Sequence, residues 1–363
     1  MKIINFVRKF FFLINILFGL YSLLVFQIVF AANIKHWLAG FLMLSFPVVL
    51  AVNLFFMISW LMVRSYKFLV SALLLALTYS IADRTIKIVP PSVSPQERFS
   101  FSLTSYNLMY SDYHNFLTNN KNENPKGIIN TLDTLHSDIL CFQEMYNTKK
   151  YPEFNMIKKI SKKNPYYVYM HSNDMNNKGQ GAIGLAIFSR FPIISKKELY
   201  WKPNNNGLLS ADIVVEKDTL RVINFQLKSM GIRIRKILKA NNIIDKEETK
   251  NILGLLKDGF ESRGVQVNQL ENWIDESPYP VILAGDLNEL PYGYAYGRLR
   301  AKLKNSFEEK GFGFGFTYHK ILSFLRIDNQ FFDDQKIEIL NFRTLSNVPF
   351  SDHYPVKAWY IIK

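Results

Sequence analysis

Hydrophobic and polar positions divide the chain into two unlike parts. From Phe10 to Ala32, and again from Trp37 to Val63, no charged residue interrupts the apolar sequence. Each run exceeds the ~20 residues that a helix needs to cross a bilayer. Both predict transmembrane helices. A third uncharged run, Phe68–Ala82, is shorter and crosses if Tyr66 and Lys67 snorkel or the bilayer thins locally. The first run is longer than the ~7–15 residues of a signal-peptide core, and no small-x-small site closes it, so a retained helix is expected. The prolines at 90, 91 and 95 then keep the chain extended and mark a linker over 88–97.

Beyond the linker the apolar residues fall into short runs of alternating period. Phe99, Phe101 and Leu103 alternate as in a half-buried strand, whereas Ile128, Ile129, Leu132 and Leu135 recur at helical spacing. Asp138–Phe142, Tyr166–Met170, Ile183–Phe188, Val281–Ala284, Leu325–Phe331 and Val356–Ile362 read as further strands, with Ala211–Val215 and Leu220–Leu227 as a hairpin. Helices are expected at Pro152–Ser161, within Ile232–Glu276 and at Tyr294–Lys304. Strands alternating with helices over 98–363 predict one α/β domain with a large core.

Charge refines this division. The chain carries +14 at pH 7, and eight of its 44 basic but only one of its 30 acidic residues lie before residue 96, so each part holds half of the excess. A moderately basic domain suits an anionic substrate or a lipid surface. Lys2, Arg8 and Lys9 flank the first run and Arg64 and Lys67 follow the second, while Lys35 alone stands between them. By the positive-inside bias the amino terminus and the 64–67 turn face the cytoplasm. Three spans then place the domain outside the cytoplasm; two would leave it inside. The mixed-charge stretch 231–263 reads as a solvated helical face. A single cysteine, Cys141 in an apolar strand, excludes an intramolecular disulfide and reads as a buried, inert thiol.

The candidate chemistry sits where apolar runs end. Val281-Ile282-Leu283-Ala284 runs into Gly285-Asp286-Leu287-Asn288, Asp138-Ile139-Leu140 runs into Cys141-Phe142-Gln143-Glu144, and the carboxyl-terminal segment opens with Ser351-Asp352-His353-Tyr354-Pro355. An acid at the end of a buried strand has no packing role. Ser105-Tyr106-Asn107-Leu108 and Gly184–Ile193 supply two further blocks. Together, and in this order, the blocks resemble the endonuclease/exonuclease/phosphatase superfamily over residues 98 to 363. That superfamily includes deoxyribonuclease I, abasic-site endonucleases, neutral sphingomyelinases and inositol-polyphosphate phosphatases. The resemblance implies a four-layer sandwich of two mixed sheets flanked by helices, here preceded by an N-terminal transmembrane segment. It also implies Mg²⁺, with Mn²⁺ as the alternative, held by Glu144 with Asp352 and Asn107 close by. Asp286 would orient or deprotonate the attacking water, Asn288 would bind the scissile phosphate, and Asp328 would pair with His353.

Two positions depart from the family pattern. Asn224-Phe225-Gln226-Leu227 has Gln226 where His is common, so an amide donor stands beside the expected phosphate position, and Asn329-Gln330 follows Asp328 in place of an aromatic-apolar pair. No Gly-rich phosphate loop, Ser-His-Asp order or nucleotide fingerprint occurs. The sequence thus predicts a multi-pass membrane phosphoesterase that uses activated water. Its partners would be the bilayer and an anionic phosphate ester, and no protein partner is implied. A lipid-derived or other extracytoplasmic ester is favoured, a nuclease on DNA or RNA is the alternative, and a catalytically silent scaffold is the alternative of another class.

Overall fold

The structure, a computed structural model, describes residues 2–88, 90, 99–118, 124–171, 181–201, 206–229, 246–320 and 325–363. Most of the 88–97 linker and residues 231–245 of the mixed-charge stretch lie outside these. The first apolar run forms α1, Lys2–Ala31. The second is not one straight helix: α2, Trp37–Leu44, and α3, Phe46–Met62, meet at a 42° bend. Pro47 causes this, since it lies in the first turn of α3 and its ring is tolerated only there. The third run breaks into α4, Phe68–Leu77, and α5, Tyr79–Ala82. At the break the Thr78 hydroxyl donates to the Leu75 carbonyl (2.7 Å) and competes with the backbone ladder. Among the described residues α1 alone is an unbroken helix long and apolar enough to cross a membrane, and the bent α2–α3 pair passes the same test if taken as one span.

Buried polar residues clamp these helices together. The Asn15 amide donates to Ser71 (3.0 Å) and accepts from the Trp60 indole (3.0 Å), and Asn53 donates to Ser22 (2.8 Å). Residues 15 and 22 of α1 therefore face 60 and 53 of α3, so these helices run antiparallel. Asn15 beside Ser71 and Gly19 beside Leu74 make α4 parallel to α1.

Past the linker, chain order is β1 (Phe101–Asn107), α6 (Tyr113–Thr118), α7 (Asn124–Thr134), β2 (Ile139–Asn147), α8 (Met156–Ile160), β3 (Tyr166–His171), β4 (Ala182–Ser189), β5 (Ile193–Trp201), β6 (Asn206–Val215) and β7 (Asp218–Gln226). Next come α9 (Lys246–Asp275), β8 (Val281–Asp286), α10 (Tyr294–Lys302), β9 (Lys304–Asn305), α11 (Ser306–Lys310), β10 (Asp328–Phe332), β11 (Ile337–Thr344) and β12 (Val356–Ile362). They build two six-stranded sheets, ordered β11-β12-β1-β2-β4-β3 and β5-β6-β7-β8-β10-β9. Each sheet is mixed: β1 and β2 are parallel, as are β7 and β8, among otherwise antiparallel neighbours.

Strand alternation assigns the core. In β8, Ile282 and Ala284 face the other sheet with Leu103, Cys141, Ile187, Leu209 and Val356, whereas Val281 and Leu283 pack under α9 and α10 with Val267, Leu270 and Leu299. Both faces are covered, so the run reads as continuously apolar. Leu140 and Phe142 lie under α7 and α8 with Ile128, Leu132 and Met156, which completes the sandwich of four layers. Cys141 is fully buried, and burial pushes its thiol well above the usual range.

The helical bundle docks on the outer layer of the second sheet. Phe46 meets the ring of Tyr292 (5.1 Å between centroids), Ala32 abuts Gly297, and Phe41 packs edge-on to Phe260 of α9 (5.8 Å). Lys257 lies over Trp37, and Arg263 is 1% exposed. The described end of the 231–263 stretch is therefore covered by α2 in part, not a uniformly solvated face, because Phe260 supplies an apolar stripe.

Candidate active site

Register explains why polar residues converge at one edge of the sandwich. β1 ends in Asn107, and the parallel β2, which the sequence expected to end at Glu144, carries that residue one position past the Asn107–Gln143 pair and continues to Asn147. β7 and β8 run in parallel in the other sheet and end in Gln226 and Asp286. Antiparallel β10 begins at Asp328, directly opposite Asp286, and His353 precedes β12, which runs back beside β1. Two local distortions aim the side chains. The β2–β4 ladder slips between Phe142 and Met145, and Glu144 takes φ 51° there; Asn288 takes φ 48° after Asp286. From Met109 to Asp112 four successive residues are left-handed, with φ between 47° and 56°. Each such residue costs about 1–2 kcal/mol relative to an ordinary backbone, and strain of this kind gathers at functional sites.

His353 Nδ1 lies 2.8 Å from Asp328 Oδ2, and both residues are almost fully buried. Burial alone lowers the pKa of the imidazolium, but Asp328, with Asp286 and Asp352 behind it, reverses the sign and raises it to about 10. The Asp286 carboxylate accepts from the Asn107 amide (3.2 Å), from the Asn288 backbone N–H (2.8 Å) and from the Asn288 amide (3.1 Å). Burial and then Asp328 raise its pKa to about 7, against the opposing pull of His353. Across the cleft Gln226 Nε2 donates to Glu144 Oε1 (2.6 Å). Burial, followed by repulsion from Asp352, raises the Glu144 carboxyl; Gln226, His353 and Asn107 pull it back. Asp352 Oδ1 stands 3.9 Å from His353 Nε2.

All eight residues singled out in the sequence are thus brought to one end of the molecule. Gln226 is engaged with Glu144 rather than left free beside the expected phosphate position. The Asn107 amide nitrogen faces Asp286 while its oxygen accepts from Met109 N–H (3.0 Å). The Asn329-Gln330 departure has a structural use: Gln330 donates to Val356 and Leu103 carbonyls in the facing sheet, and Asn329 takes a bond from Arg326. Asp328 keeps its aim on His353.

Sequence reasoning missed several neighbours. Tyr110, on the left-handed turn, is held above the usual phenol range chiefly by Glu144 and also by burial and Asp352. Tyr318 is pushed up to about 12 by burial, Asp352, Asp286 and Glu144, and its ring meets His353 at 5.1 Å. Lys320 Nζ lies 4.0 Å from Asp352. Buried Arg263 donates to the Lys228 carbonyl (3.0 Å) and lies 3.9 Å from Glu289, which in turn caps α10 through Ala295 N–H. Only the Tyr318 segment carried a hint, in its run of alternating glycine and phenylalanine.

A fold of two mixed sheets whose strand ends gather carboxylates, amides and one imidazole defines a class of phosphoester hydrolases. The sequence profile of the Endonuclease/Exonuclease/phosphatase family matches residues 104–353, and the chain belongs to that family. A domain family of unknown function matches residues 8–85. No curated protein matches by sequence. Among solved structures, a family protein from Bacteroides thetaiotaomicron is similar with a TM-score of 0.52 at 17% identity, covering 74% of this chain and all of its own. The human Nocturnin catalytic domain with bound sulfate anion gives 0.52 at 12% identity over 76% of this chain and 100% of that one. Humanized D. rerio TDP2 gives 0.50 at 16% identity over 72% and 99%. At these identities the likeness is one of fold. Members of the family are phosphoester hydrolases that generally depend on a divalent metal, and the described residues include a buried acid-imidazole group, Asp286, Asp328 and His353, whose ligand atoms lie within 4.8 Å of one another.

Proposed function

We propose that the protein is a membrane-anchored, divalent-metal-dependent phosphoesterase in which Asp286 and His353 work side by side on a bound phosphate ester. The observation that carries this reading is the His353–Asp328 bond at 2.8 Å beside Asp286, whose pKa of about 7 suits a base at neutral pH. Glu144 and Asp352 are the residues that would hold the ion. They offer hard oxygen donors, and their mutual repulsion across the cleft is what a dication relieves. Asp286, Asp328 and His353 fit a cation less well, because Asp328 at 2.8 Å holds the imidazole in its protonated, positively charged form. Mg²⁺, or Mn²⁺ in its place, supplies neutralisation of the phosphoryl oxygens when bound.

The remaining chemistry belongs to side chains. Asp286, fixed by Asn107 and Asn288, takes the proton of the attacking water. His353, kept charged by Asp328, presents Nε2 as a donor to a phosphoryl oxygen. Gln226 orients Glu144, and the amides of Asn107 and Asn288, which donate to Asp286, would have to turn from it to reach the phosphate. Tyr110 and Tyr318 stay protonated at physiological pH and offer O–H donors near the leaving oxygen.

The domains are read as membrane helices over 1–87, linker over 88–97 and catalytic domain over 98–363. Antiparallel α1 and α3, with α4 parallel to α1, support three passes. The cations at the amino terminus and at 64–67 then lie at the end away from the domain, which favours an extracytoplasmic site and a lipid-derived ester. A nucleic-acid substrate is the second reading. It is favoured by cavities of about 290 and 570 Å³ beside α8, the smaller reaching between α7 and α8, whose linings include Lys149, Lys158, Lys159, Lys162, Lys163 and Arg190, a surface suited to a phosphate backbone. The test is hydrolysis by the full chain, with Mg²⁺ or with EDTA, of a soluble phosphodiester dye, sphingomyelin, inositol phosphates and DNA. Mg²⁺-dependent release from at least one supports the reading, and no release from any contradicts it.

A further inference from the structure

The segment Gly311-Phe312-Gly313-Phe314-Gly315-Phe316-Thr317-Tyr318 is clamped at two places. Near its start, Gly313 and Lys87 exchange both backbone bonds (2.9 and 2.8 Å), and Lys87 stands five residues past the end of α5. At its other end the Thr317 hydroxyl accepts from Ile327 and Asp328 N–H (both 3.1 Å), the Thr317 carbonyl accepts from Tyr354 N–H, and Tyr318 bridges His353. The segment therefore ties the point where the chain leaves the helical bundle to the two residues of the catalytic dyad. Its glycines set the shape. Gly313 and Gly315 adopt φ +69° and +60°, and a Cβ at Gly315 would collide with the Phe307 ring. Between them the aromatic side chains are thrown outward: Phe312 is 60% and Phe314 46% exposed, with Phe316 stacked on Phe314. Ile88, next to the Lys87 bridge, is 77% exposed.

An exposed cluster of this kind marks an interaction surface, and its place on the chain says which. Tyr66 and Tyr79, 78% and 75% exposed, stand at the two ends of the α4–α5 run, where interfacial tyrosines belong. The Lys87–Gly313 bridge follows the Tyr79 end closely, and Phe312 and Phe314 stay exposed there, Phe314 with Phe316 stacked on one face.

We infer that Phe312 and Phe314 enter the interfacial layer of the bilayer that holds α1–α5, and that the substrate is a phospholipid whose headgroup phosphate reaches His353 along Tyr318 without leaving the leaflet. This rests on the phosphoesterase reading above and narrows it to lipid phosphodiesters. The interfacial layer is the one occupant consistent with a loop bonded to the exit of a membrane helix, and burying two phenyl rings there is favourable in proportion to the area removed from water.

Two measurements on the full chain in phosphatidylcholine/phosphatidylglycerol vesicles containing sphingomyelin test it. The Phe312→Ser/Phe314→Ser double variant should lose tenfold or more of its activity on the vesicle lipids and stay within twofold on a water-soluble phosphodiester dye. An environment-sensitive fluorophore on Phe314→Cys, a clean label because Cys141 is fully buried, should be quenched by a lipid-borne quencher. Equal loss on both substrates, no loss on either, wild-type activity confined to the soluble ester, or a label open to water would each overturn the inference. Wild-type activity on neither substrate would defeat the phosphoesterase reading instead, and the label would then decide the position of the loop by itself.

Discussion

The helical bundle and the sandwich use buried polar groups in opposite ways. In the bundle, Asn15, Trp60 and Ser71, and separately Asn53 and Ser22, are scattered along the helices and join them in pairs. In the sandwich, polar residues are gathered at one edge, four acids have their charges set against one another, and the backbone around them is strained. In the membrane setting proposed above, the first arrangement would supply adhesion where the hydrophobic effect between helices is absent. The second gives up adhesion and keeps groups ready for a charged substrate. Loss of a polar group should accordingly damage stability in one region and turnover in the other.

The largest effects belong at the sandwich edge. Asp286→Asn and His353→Ala should each reduce kcat by about a hundredfold or more, and for Asp286→Asn the unfolding temperature should hold or rise, since that change removes a strained charge. Steady-state kinetics beside thermal melts check this. The double variant should lose far less than the product of the two single losses; a fully multiplicative loss would mean that the residues do not share one site. Gln226 comes next. Gln226→Ala removes a bond to a carboxylate worth about 1.5–3 kcal/mol, so a roughly ten- to hundredfold fall in turnover and a weaker Mg²⁺ response are expected. Gln226→His should retain most activity. Identical behaviour of the two variants would remove Gln226 from the site.

The smallest effect is expected in the bundle. Asn15→Leu should lower stability in detergent by about 1 kcal/mol and leave hydrolysis of a soluble ester unchanged. A fall in turnover as large as that of Gln226→Ala would erase the distinction drawn between the two regions.

Much of this division could be read from residue order. Buried strands were legible where apolar runs ended in acids or amides, as at Ala284-Gly285-Asp286, because strand burial and strand ends write themselves as runs and breaks. Strands β5 and β11 were not, since both lie at sheet edges and β5 exposes most of its side chains, which removes the apolar signal. The bends at Ser45–Pro47 and Thr78 were hidden by uniformly apolar flanks. At the site, Asp328 and His353 and their pairing were expected from the family resemblance, whereas the placement of Asp328 directly opposite Asp286 needed the β8–β10 register to be seen. Tyr110 was missed because its left-handed turn contains no glycine, and Tyr318 because its phenol reaches the acids only through the Thr317–Asp328 clamp. The use of Gln330 as a bond between sheets likewise depends on the facing strand.

Metal-dependent hydrolysis centred on Glu144 is the claim on which the rest depends. The most direct test titrates Mg²⁺ into the wild-type chain and the Glu144→Gln variant, both in bilayers, and follows release from a soluble phosphodiester dye. The account expects saturable activation of the wild type and at least about a hundredfold lower rate for the variant, with the fold intact by circular dichroism, because a neutral amide cannot replace a carboxylate charge on a hard dication. A variant within threefold of wild type, with the same Mg²⁺ dependence, would contradict it.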